Sequence, residues 1–140
     1  RATLLARHPV IPVCHADLRP SGDGLETLRD APLIEIIGVA DNWHQFFRQE
    51  NLSPPEHSPV LSVDQSIAAL ELAANGVGYA LVSELFAAPY LQDGRLVRAL
   101  PIEKQTDQAI YVTCPEGAVG YGCQMVLDWI VERSADLRQT

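Results

Sequence analysis

The chain has 140 residues, 47% of them hydrophobic, and a formal net charge of −8 with a pI near 4.8. That length holds one ordinary domain with a real core, and the apolar share argues against disorder. Its ten basic residues are scattered, which argues against a surface that grips a phosphate backbone, and no apolar run is long enough to span a bilayer.

Val10 to Cys14 predicts a short strand, with Pro12 suited to an edge or a crossover position. Ser21-Gly22-Asp23-Gly24 is a loop signal, and Leu25–Arg29 predicts a short helical turn. Leu33–Ile37 is a strand candidate whose one charged member is Glu35. Gly38 to Asn42 then forms a glycine-started polar loop at the carboxyl end of that strand. Asp41 or Asn42 can cap a helix in which Trp43, Phe46 and Phe47 fall at i, i+3 and i+4. Leu52 to Pro59 is proline-rich and non-helical, and Val60–Val63 predicts another strand.

The stretch from Ser62 to Leu100 is the most informative. Ser62 and Gln65 have the spacing of a capping box, and Asp64 adds negative charge where a helix start favours it. Ile67, Leu70, Glu71 and Ala74 share one stripe of the following alanine-rich helix, widened by Ala68, Leu72 and Ala73. Asn75-Gly76 supplies a left-handed exit. Val77 to Val82 is almost continuously apolar, as in a strand buried on both faces of a parallel sheet. A short helix follows, then a strand opened by Asp93-Gly94-Arg95.

Pro101–Asp107 is a charged loop, and Ala109–Cys114 an apolar strand closed by Pro115-Glu116-Gly117. A last helix puts Val119, Cys123, Val126, Leu127, Ile130 and Val131 on one face, and its polar tail from Glu132 is expected to fray. Strands alternating with helices predict an α/β fold, a mostly parallel sheet flanked by helices. Cys14, Cys114 and Cys123 have no metal or redox spacing, fit a reducing compartment, and read as partly buried thiols; Cys14 and Cys114, each ending a strand, could be neighbours. His8, His15, His44 and His57 show no spacing for a metal site, and no cofactor is expected.

In chain order, the phrases VIPVCHADL, LRDAPLIEI, DNWHQFF, SVDQSIAALELAANGVGYALVSELFAAPYLQDGRLVRAL and AIYVTCPEG…VLDWI resemble the effector-binding (substrate-binding) domain of LysR-type transcriptional regulators, in their glycine-cleavage-activator and β-lactamase-regulator branch. The resemblance implies a fold like the type 2 periplasmic binding proteins, two α/β lobes joined by crossover strands with a small effector held between them. Residues 1–9 would be a remnant of lobe one, 10–108 lobe two, and 109–140 the return crossover and the last helix of lobe one. The second crossover, from Ala109, would run back alongside Val10–Cys14. The DNA-binding winged helix-turn-helix, the linker helix and the opening strands of lobe one are expected to lie outside this chain. The family also implies a cytoplasmic homo-oligomer that reaches DNA only through that N-terminal domain, with the Gln65–Ala74 helix facing a partner.

Ligands of open α/β sheets sit beyond the carboxyl ends of strands. Position and resemblance together single out Val39, Ala40, Asp41 and Trp43 as effector-facing, with the loop amides able to receive a carboxylate or phosphate. The plainer reading makes Trp43 core, Asp41 a helix cap and Ser62 a cap only, and it outweighs the functional one for each. Ile110 and Tyr111 border the cleft in the family; Tyr111 would offer a ring and a hydroxyl, or be a plain strand tyrosine. The effector could be an amino acid, a muropeptide or an organic acid. A transporter's solute-binding protein of the same fold is the alternative. An enzyme is not expected, because no nucleophile, base and oxyanion donors come together: Thr27-Leu28-Arg29 does not match the prephenate dehydratase motif, G-x-S-x-G is absent, and Cys14 and His15 would point to opposite faces of a strand.

Overall fold

The computed structural model describes residues 1–56, 61–117 and 119–137. In chain order the elements are β1 (Ala2–Ala6), β2 (Val10–Cys14), two single-turn 3-10 helices (Ala16–Leu18 and Leu25–Leu28), β3 (Leu33–Ile36), α1 (Trp43–Gln49), β4 (Leu61–Val63), α2 (Ser66–Ala74), β5 (Tyr79–Ser83), α3 (Glu84–Gln92), β6 (Val97–Arg98), β7 (Ile110–Thr113) and α4 (Tyr121–Leu137). They fall into two compact units, Pro9–Gln105 and Arg1–His8 with Thr106 onward.

The larger unit is built on a five-stranded sheet in the order β4-β3-β5-β2-β6. β3 is parallel to both β4 and β5, while β2 is antiparallel to β5 and to β6. Four strands therefore share one direction and β2 alone runs against them, so the expected mostly parallel sheet is the one observed. β2 is buried at all five positions. Alternation sends Val10 and Cys14 to one face, with Leu33, Tyr79, Leu81, Trp43, Phe46 and Phe47. Ile11 and Val13 go to the other, with Ala80, Val82, Ala69, Leu70, Ala73 and Tyr90. α1 and the Leu25 turn cover the first face, and α2 and α3 the second.

Pro12 lies inside the sheet and not at its edge. Its carbonyl accepts the Ala99 N–H at 2.9 Å, toward the β6 side. The missing proline N–H would point the same way, so Ala99 receives no bond in return and β6 is only two residues long. Past that gap, Val10 and Lys104 exchange both backbone bonds, at 2.8 and 2.9 Å.

Two glycines set the path into β5. At the end of α2, Gly76 has φ +78°; its N–H donates to Ala73 O, and Val77 N–H to Leu72 O. That pair of bonds is a left-handed helix stop of the kind expected at Asn75-Gly76. Gly78 lies against the Pro32 carbonyl, where a Cβ would meet the oxygen at 2.1 Å; the close approach lets Tyr79 N–H donate to Pro32 O at 2.9 Å. On the surface, Glu71 ties α2 to α3 and the turn beyond it. It accepts from Tyr90 Oη at 2.5 Å and Arg95 at 2.8 Å, and Arg95 stacks on the Tyr90 ring.

Some local expectations are overturned. Ser62 sits in β4 opposite Glu35, so it cannot cap a helix; α2 starts at Ser66 with Gln65 as its N-cap and no side-chain cap bond. Ile67 is 55% exposed, because the buried stripe of α2 runs through Ala69, Leu70 and Ala73, small residues that let the helix approach the sheet.

The smaller unit pairs β1 with β7 antiparallel and packs α4 on β1. β7 thus finds its partner in Ala2–Ala6, whereas both edges of Val10–Cys14 are taken by β5 and β6; the expected pairing of those two segments is not made. Cys14 is buried opposite Val97, and Cys114 donates its N–H to Arg1 O, so the two belong to separate units. α4 turns Leu127, Ile130 and Val131 inward, but Cys123 and Val126 are exposed. The helix continues past Glu132 to Leu137, with Ser134 buried and donating to Val131 O.

Replacing Gly78 with alanine should cost about 2–3 kcal/mol in urea unfolding, because the clash is with backbone that cannot turn aside; an unchanged midpoint would contradict this packing.

Candidate functional site

The carboxyl end of β3 leads into the loop that the sequence singles out. Gly38 turns the chain at φ +85°, and Ile37, 62% exposed, still bonds through its N–H to Val63 O at 2.7 Å. Val39 packs partly against the α2–α3 face of the core, and Ala40 is exposed, its carbonyl accepting the Asn42 N–H at 3.1 Å. Asn42 caps α1: its side-chain oxygen accepts the Gln45 N–H at 2.9 Å. That amide is already satisfied, so the expectation that the helix start receives an anion does not fit it.

Trp43 is the clearest correction among the expected contacts. It is 2% exposed, stands edge-on to Phe46 at 6.1 Å, and donates its indole N–H to Ile34 O at 3.0 Å. With its one donor used and its ring enclosed, it anchors α1 to β3 and supports the loop from beneath.

Asp41 is not the helix cap. Its carboxylate pairs with Lys104 Nζ at 3.0 Å, with side-chain exposures of only 12% and 9%. The other close ion pairs are wetter, Arg95 with Glu71 at 45% and 47% and Arg98 with Glu84 at 37% and 31%. Lys104 was not among the expected residues. The signal that could have found it is that the chain holds a single lysine, set in an otherwise acidic loop. Beside this loop, burial pushes the Glu35 carboxyl above its usual range, with the Trp43 backbone amide pulling the other way.

Ile110 and Tyr111 belong to the smaller unit, in β7, with 37% and 51% of their surfaces exposed. That unit has its own groove of about 660 Å³ between α4 and the β1–β7 pair, lined by Val112, Leu127 and Val131 among others and by none of the expected contacts. Burial raises the Cys14 thiol to about 11, so it stays protonated and unreactive at neutral pH. Among the described residues no group of three or more His, Cys, Asp or Glu could hold a metal ion, and no helix is long and apolar enough to cross a membrane.

The family model of the LysR substrate binding domain matches residues 1–135. The chain belongs to that family. A relative from Sinorhizobium fredii, described as an uncharacterized HTH-type transcriptional regulator, is 36% identical over 96 residues, 69% of this chain and 32% of its own length. The chain therefore spans about a third of that curated relative. The effector domain of the transcriptional regulator AmpR of Pseudomonas aeruginosa superposes with a TM-score of 0.83 at 23% identity, covering 99% of this chain and 67% of that one. The AmpR effector-binding domain of Citrobacter freundii gives 0.81 at 19%, covering 97% and 68%. The LysR-type regulator LysG of Corynebacterium glutamicum, solved with bound effector Arg, gives 0.66 at 18%, covering 97% and 47%. These likenesses establish the fold as that of LysR effector domains, the periplasmic-binding-protein-like α/β lobe expected from the sequence.

Glu35 yields a pH prediction. Its raised carboxyl pKa means that the folded chain holds the proton more tightly than the unfolded chain does. That advantage is complete below the ordinary glutamate pKa and is lost as pH rises through the raised value. Relative to the native chain, Glu35→Gln should therefore gain thermal stability as pH rises from below 4 toward neutrality. Parallel stability–pH profiles would contradict it.

Proposed function

We propose that the chain is the effector-sensing part of a LysR-type transcriptional regulator. A small molecule favours one arrangement of the domain and so alters how an oligomer presents its DNA-binding parts. The observation that carries this reading is the family match over residues 1–135. The same match disfavours the transporter alternative, because the matched domain and the relatives are those of regulators. On this reading residues 9–105 correspond to lobe two and residues 1–8 with 106–137 to lobe one. DNA is reached through a helix-turn-helix elsewhere in the protein, the setting is the cytoplasm, and no catalysis is involved.

The proposed effector contacts are Val39, Ala40 and Asp41, with Ile110 and Tyr111; Trp43 now serves as their support. Amino acids, muropeptides and organic acids are the ligand classes to test. Ala40→Arg leaves the core untouched, since Ala40 is exposed, yet fills the loop. A thermal-shift screen of those classes should find a stabilising compound whose affinity Ala40→Arg lowers at least about tenfold. No hit, or hits indifferent to the substitution, would refute the reading.

The oligomer surface we propose is the α2–α3 face. Ile67 and Phe86, 55% and 48% exposed, flank a shallow depression of about 400 Å³ with Gln65, Ser66 and Leu70. A second copy would remove that apolar surface from water. The double substitution Ile67→Glu with Phe86→Glu should shift sedimentation from dimer to monomer with the fold intact, and a native chain that sediments as a monomer at high concentration would contradict the assignment.

A further inference from the structure

We infer that Lys104 is the anion-recognising group of the effector site, and that Asp41 occupies its place when no effector is bound. The effector is then a small molecule bearing a carboxylate. This rests on the proposal that the Gly38–Asn42 loop faces the effector, and it adds the residue and the ligand chemistry.

The chain has one lysine and a net charge of −8, so this cation is a singular feature of its composition. It is also the most enclosed partner of the ion pairs described, at 9% exposure. Taking two charges out of water costs more than their attraction returns unless the geometry is excellent, and an apolar pair would serve folding as well. The ammonium meets the carboxylate at 3.0 Å as a point charge, without the bidentate fork of an arginine. Folding alone gives little reason for it.

The two partners are held in unlike ways. Lys104 is fixed by its own backbone, through the two bonds with Val10 in the buried strand β2. Its position is thus set independently of Asp41. Asp41 stands on a glycine-started loop beside exposed Ala40, at the sheet end where α/β ligands collect. A fixed cation with a loop-borne carboxylate is suited to exchange. Asp41 withdraws, an external carboxylate takes its place, and Lys104 stays neutralised throughout. No unpaired charge is left buried at either end of the exchange.

The test uses the full chain grown with nitrogen-15-labelled lysine, in which a single backbone amide signal reports on Lys104. Asp41→Ala should lower the thermal midpoint by roughly 5–10 °C. At constant ionic strength, about 0.1 M sodium acetate should restore at least half of that loss while chloride does not, with a saturable movement of the Lys104 signal. The native chain should respond to acetate at least about tenfold more weakly, because Asp41 competes. The paired Asp41→Leu, Lys104→Met variant keeps the volume without the charges and should show no response. Acetate acting no better than chloride, or acting equally on the paired variant, overturns the inference. Should Asp41→Ala fail to fold, the native chain decides: a saturable shift of the Lys104 signal at high acetate supports the inference, and none overturns it. A stabilising effector that carries no anionic group, or that binds Lys104→Met as well as native, would sink this inference and leave the sensing role standing. Acetate rescue with no effector found in any screen would refute the sensing role, and with it the effector part of this inference, and leave only an anion site at Lys104.

Discussion

The larger unit depends on β2, a strand of five residues with no exposed position, set between β5 and β6 and running against the other four strands of the sheet. Its alternation defines both halves of the core, since Val10 and Cys14 face the aromatic cluster of α1 while Ile11 and Val13 face the alanine-rich side of α2. Its outer edge also fixes whatever follows β6. The gap left by Pro12 stops that ladder, and the bridge at Val10 takes hold of the chain again at Lys104. A backbone constraint in one strand thus decides where the single lysine stands.

The Gly38–Asn42 loop is supported from three directions. Trp43 binds it to β3 from below, Asn42 closes the helix that follows, and Asp41 reaches across to Lys104. Ile37, Gly38 and Ala40 leave surface outward, next to a carboxyl group in Glu35 that burial holds toward its neutral form. The polar groups of this corner are largely committed to one another.

Much of this was legible in the sequence where local chemistry and tertiary packing agree. Val10–Cys14, the Leu33 strand, the aromatic spacing of Trp43, Phe46 and Phe47, and the Gly76 helix stop each follow from a few neighbouring residues. Ser62 misled because two local signals competed there, and pairing with Glu35 in the sheet outweighed a capping pattern. Ile67 misled for a related reason: in an alanine-rich helix the buried side is chosen by how closely small residues let it approach, not by the largest side chain. The Asp41–Lys104 pair joins residues far apart in the chain and has no local signature, so only the rarity of lysine pointed toward it.

The claim that β2 organises the larger unit is tested most directly by native-state hydrogen exchange. The account predicts that the amides of Ile11 and Val13, with those of Ala80 and Val82 opposite them, exchange only through global unfolding and are among the slowest in the chain. Exchange of the β2 amides as fast as that of the Gly38–Asn42 loop would contradict it.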